Sequence, residues 1–115
     1  MQVNIEVLEL SINDAKDKIK LRDDLVSLQS NRAFQRIINN GFFRDYPAEL
    51  ARSLADPVIS GNKAKFDEVQ RDFAGVSVLH GYFKRIQSIG EMAEQSLKDY
   101  QEELEEYRIS GQSEE

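Results

Sequence analysis

Apolar residues recur along this chain with the spacing of helices. Over residues 4–29, Ile5, Leu8, Ile12, Ala15, Ile19 and Val26 follow alternating steps of three and four, interrupted at Arg22. Leu21, Leu25 and Leu28 widen that stripe near its end. At 1.5 Å per residue such a helix runs for roughly 35–40 Å, so its apolar face needs a partner of similar length. The partner lies near the other end. Val76, Leu79, Phe83, Ile86, Gly90, Ala93, Leu97, Tyr100, Leu104 and Tyr107 fill consecutive a and d positions of a heptad register. Val69, Phe66 and Phe73 extend and broaden the face backwards, which predicts a long helix over residues 63–108. Gly75, Gly81 and Gly90 each cost a helix interior about 1 kcal/mol relative to Ala, so a bend or break near 75–81 or 90 is expected, or a close helix contact. Gly90 with Ala93 suits close contact.

Between the long segments, residues 30–62 carry short, crowded signals. Ser30 is the expected N-cap of a helix over residues 31–40, with Phe34, Ile37 and Ile38 facing inward and Gly41 as its left-handed stop. Pro47 suits the first turn of another short helix carrying Leu50, Ala51, Leu54 and Ala55, which Asp56-Pro57 ends. Residues 58–62 read as the connection into the last helix, and residues 110–115 as a flexible, solvated tail.

Together these elements predict an all-α fold: a coiled-coil-like, long antiparallel helical hairpin with a small helical knob at its closed end, in one domain over residues 1–109. Antiparallel alignment puts Ile5 and Leu8 near Leu104 and Tyr107, and Val26 near Phe83 or Ile86. Lys16, Lys18 and Lys20 fall beside Glu91 and Glu94, and Asp14 is spaced to pair with Lys18 one turn on.

Charge sharpens this picture. The chain of 115 residues has a net charge of −6, yet residues 91–115 alone hold nine acidic residues against Lys98 and Arg108. Glu6 and Glu9 fall beside Glu102, Glu103, Glu105 and Glu106 at the open end of the hairpin, making an acidic pole that calls for a basic partner or an oligomer that spreads the charge. Phosphate recognition needs a basic surface, so direct nucleic-acid binding is not expected. No apolar run approaches the roughly 20 residues needed to cross a bilayer, and Glu6 and Glu9 interrupt the start where a signal peptide would be apolar. The expected location is the cytoplasm in which the chain is made, with no membrane partner.

The residues with chemical potential are few. Without Cys there is no thiolate nucleophile, disulfide or Cys-based metal site, and the single histidine, His80, has no second imidazole beside it in the pattern. It reads as a packed or helix-edge histidine. The glycines make no phosphate-binding loop. No catalytic, metal or cofactor site is assigned, and the chain is read as non-enzymatic. Two apolar groups remain as candidate interfaces. Leu97, Tyr100, Leu104 and Tyr107 serve either the hairpin's own seam or an intermolecular coiled coil. Phe42, Phe43 and Arg44, with Tyr46, Arg36 and Arg52 nearby, form either a recognition patch or a plug that seats the knob while the arginines stay solvated; two successive phenylalanines are not expected to face one core.

The run Arg22-Asp23-Asp24-Leu25, Asn31-Arg32-Ala33-Phe34-Gln35, Gly41-Phe42-Phe43 and Ala51-Arg52-Ser53-Leu54-Ala55-Asp56-Pro57 resembles small all-helical proteins of tailed bacteriophages. Tyr82-Phe83, Ile86, Ile89-Gly90 and Met92-Ala93 before an acidic helix resemble the same group, so the likeness covers most of the chain. The resemblance implies a virion-associated or morphogenesis accessory protein, found in the host cytoplasm and in the virion or its precursor, that associates with itself and a phage structural protein. An early inhibitor or adaptor, binding a basic surface of a host protein through the acidic pole, is the alternative. The group supplies no functional residues to carry over.

Overall fold

A computed structural model of the chain describes residues 2–113, and the side chains of residues 5–111. It is all-α: α1 (Gln2–Gln29), α2 (Arg32–Phe34), a π-helix (Gln35–Asp45), α3 (Tyr46–Ser53), α4 (Pro57–Ser60) and α5 (Lys63–Ser113). The long helices form the expected antiparallel hairpin and the shorter ones a helical knob. The chain divides into two compact units, the hairpin of residues 1–25 with 85–115 and the knob of residues 26–84.

In the hairpin, Leu8, Ile12 and Leu104 form a buried cluster, with Ile5, Leu97, Tyr100 and Tyr107 packed against it. Further along, Arg22 of α1 crosses Gly90 and makes an ion pair with Glu94. Residue numbers rise along α1 as they fall along α5, so the two stripes interlock over the unit. Gly90 is buried, and a Cβ there would lie 2.3 Å from Arg22 Cβ and 2.5 Å from its Cγ. The glycine lets the backbones approach where the apolar stripe of α1 is broken by a long cation. Arg22 keeps only 13% of its side chain exposed, laying its stem in the seam and its guanidinium out to Glu94 and to Asp23 at 2.8 Å. The pair to Glu94 thus comes from Arg22, whereas Lys18 pairs with Asp14 at 2.8 Å. Beyond Arg22 the inward step is three residues: Leu25 is buried and Val26 is exposed.

The three glycines do not interrupt α5, which is continuous to Ser113. The expected flexible tail is therefore helical from Ser110 to Ser113, and its last two residues lie outside the described residues.

The knob departs further from expectation. Asn31, not Ser30, caps α2, its Oδ1 accepting from the Phe34 N–H at 3.0 Å, while Ser30 Oγ donates to the Ser27 carbonyl. Gly41 is no left-handed stop, since no described glycine has positive φ. It lies inside the π-helix, where the Tyr46 N–H donates to the Gly41 carbonyl five residues back. A Cβ on Gly41 would stand 3.1 Å from the Arg36 carbonyl oxygen, so this wide turn closes most easily around a glycine. Asp56 ends one helix and caps the next, its Oδ1 accepting from the Val58 N–H at 2.9 Å. Asn62 does the same for α5 through the Lys65 N–H. Leu50, Val69 and Val76 are the buried aliphatic residues of this unit.

Candidate functional site

The π-helix sets the arrangement of the knob's aromatic side chains. With hydrogen bonds reaching five residues back, its turn is wider than that of an α-helix, and Phe42 and Phe43 are both half-buried rather than opposed. Phe42 stacks on Tyr46 with ring centroids 5.8 Å apart and meets Phe43 edge-on at 5.7 Å. Phe43 in turn meets Phe83 at 5.8 Å and the edge of His80 at 5.0 Å, and Phe34 closes on Phe83 at 6.0 Å. These distances lie in the favourable range for edge-to-face and offset rings. Phe43 meets α5 while Phe42 packs on Phe43 and Tyr46, and both sit in one cluster, against the expectation from their adjacency.

Arg44 points outward and pairs with Asp45 at 3.0 Å. His80 is exposed and lines an open groove with Phe43, Val76, Ser77, Gly81 and Lys84. The Tyr46 phenol is pushed above its ordinary range, first by desolvation, then by its hydrogen bond to Asp72 and by the nearby carboxylates of Glu49 and Glu68. No group of three His, Asp or Glu side chains converges as a metal site among the described residues. No described helix is long and apolar enough to cross a membrane.

The hairpin carries the other two predicted groups. Leu104 is buried in the chain's own seam, and Leu97, Tyr100 and Tyr107 are packed against it, so substituting them tests the hairpin before it tests any association. Glu6, Glu9, Glu102, Glu103, Glu105 and Glu106 are all exposed. None of the six makes an ion pair among the described residues. Glu102, Glu105 and Glu106 share a shallow face of α5 with Lys98 and Gln101.

One surface was not anticipated from the sequence. Ser11 and Ala15 of α1, with Ala93 and Ser96 of α5, floor an open groove of about 330 Å³ along the hairpin. Ile89, Met92 and Tyr100 wall it, and Asp14, Lys18 and Arg85 supply its charge. Its signal in the sequence is a second stripe, Val7, Ser11, Asp14, Lys18 and Leu21, running beside the main one by steps of four and three. Mixed polarity hides it. No protein-family model, curated protein or solved structure matches this chain.

Proposed function

We propose that this is a non-enzymatic phage protein, a virion-associated or morphogenesis accessory that works through helix-mediated association with itself and a structural partner. The observation that carries the reading is how little the single chain buries. No described side chain falls below 2% exposure. Exposed Val7, Leu10, Leu21, Met92 and Ile109 on the hairpin, and Ile37, Val58, Val78 and Tyr82 on the knob, are apolar surface that association would cover. On the knob, Arg44 and its neighbours are the surface offered to a partner.

Quantitative mass spectrometry of purified particles, precursor particles and infected-cell lysate tests this reading. Enrichment in either particle is the expected result, with a copy number matching one structural ring or shell; absence from both overturns it. The carboxylates of the acidic pole, exposed and without an ion pair among the described residues, favour a second reading, an early inhibitor or adaptor held to a basic host surface. In that case replacing Glu102, Glu103, Glu105 and Glu106 with Gln abolishes capture of the host protein at low and moderate salt alike.

A further inference from the structure

Between Asp24 and Asp45 the chain carries three arginines and no carboxylate. Arg32, Arg36 and Arg44 recur at multiples of four along the continuous run of α2 and the π-helix, and all three are exposed. Phe34, Ile38 and Phe42, each two residues off that row, are half-buried, so the arginines stand on the side turned away from the aromatic cluster. Arg44 has Asp45 as its ion-pair partner, whereas Arg32 and Arg36 make no ion pair among the described residues. Arg52 and Glu49, further along in α3, add one charge of each sign and leave the excess where it was. Ile37 sits among the arginines and is 65% exposed.

We infer that this arginine row receives the acidic pole of a second copy of the chain, with Ile37 at the centre of the contact. Charge complementarity selects the occupant, and it holds when every charge is counted. Over the knob unit, eight Lys and Arg stand against six Asp and Glu; over the hairpin unit, seven stand against fifteen. Within the hairpin, residues 11–24 and 85–97 are nearly balanced, with five cations and six carboxylates. The excess lies at the pole, where residues 5–10 and 98–108 carry seven carboxylates against Lys98 and Arg108. All seven are exposed. Exposed ion pairs contribute little by themselves, so the contact also needs apolar area. Ile37 supplies it on the knob, and Val7 and Leu10, 55% and 69% exposed beside Glu6 and Glu9, supply it at the pole. The surrounding charges then set the register and reject other partners. Because the row and the pole are different surfaces, each copy offers its knob to a neighbour's pole and its pole to a neighbour's knob. The inference rests on the association reading above and names the two surfaces that meet.

The test is light scattering on the full chain, with charges reversed on either side of the contact. At low salt the wild type should exceed its monomer mass of 13.2 kDa. It should move back toward that mass as salt rises to about 0.5 M, where the screening length is about 4 Å. One variant carries Arg32→Glu with Arg36→Glu and the other Glu102→Lys with Glu106→Lys, all at exposed positions that leave the helical circular dichroism intact. Each variant alone should associate at least about 30-fold more weakly, because like charges then face each other. An equimolar mixture of the two, or both pairs of reversals on one chain, should recover association, since the new glutamates then meet the new lysines. Weakening in each variant without recovery in the mixture would overturn the pairing of these two surfaces. Loss on reversing the arginines with no effect at Glu102 and Glu106 would remove the pole as the occupant. A wild-type oligomer indifferent to both reversals would overturn this contact while leaving the association reading standing. A wild type that is monomeric at every concentration would overturn the second copy as partner, and particle incorporation would then test the association reading separately. In that case, retention of a single-stranded oligonucleotide that depends on Arg32 and Arg36 would give the row to nucleic acid instead.

Discussion

In the hairpin, Leu8, Ile12 and Leu104 interlock as aliphatic side chains in a repeating seam, whereas in the knob Phe34, Phe42, Phe43 and Phe83 meet ring to ring around a π-helix. The seam is regular because two straight helices present the same spacing to each other over many turns. The knob is irregular because short segments must fit bulky rings against one long helix, and the backbone widens its turn to do so. The difference teaches that the hairpin draws its cohesion from one row of well-buried positions, while the knob adds half-exposed rings, each worth less, to its three buried aliphatic residues Leu50, Val69 and Val76.

The largest effect should come from cutting the seam. Leu104→Ala removes a buried side chain from the centre of its cluster and should cost about 2–4 kcal/mol in chemical denaturation. Phe43→Ala removes a larger side chain, yet the ring is half-exposed, and about 1–2 kcal/mol is expected. If the phenylalanine proved costlier than the leucine, the contrast between the two regions would be wrong.

Glycine substitutions sharpen the comparison by moving stability in opposite directions. Gly90→Ala drives a methyl group into the stem of Arg22 and should lower stability by about 1–3 kcal/mol, despite the better helix propensity of alanine. Gly75→Ala meets nothing within 4 Å and should raise stability by about 0.5–1 kcal/mol. Thermal melts of the two variants should therefore move in opposite directions.

The smallest effect is a pH dependence confined to the knob. Because the folded Tyr46 phenol titrates above its unfolded value of about 10, its contribution is fully present below that pH and is lost as pH rises through the raised value. Melting temperature should fall on the alkaline side in the wild type, and the fall should be shallower in Tyr46→Phe.

The hairpin was readable from the sequence almost residue by residue. Every a and d position from Ile86 to Tyr107 is buried or half-buried, and Leu8, Ile12 and Ala15 are buried on the facing helix. A heptad pattern is a local property that repeats, so many residues report the same fact. The candidate sites were less legible. Phe42 and Phe43 were found as a pair, but their joint burial depends on a π-helix, and nothing in the spacing of Gly41 separates a helix stop from a wide turn. Val26 and Leu25 are equally apolar, and only packing chose between them.

By itself, the sequence determined the helical class, the two long stripes and the acidic end of the chain. These follow from periodicity and charge, which act between residues close along the chain. Tertiary structure alone decided that Gly90 serves the passage of Arg22, that both phenylalanines join one cluster, and that Ser11, Ala15, Ala93 and Ser96 floor a groove. Each depends on residues far apart in sequence meeting at a distance of a few ångströms, and short-range spacing carries no record of that meeting.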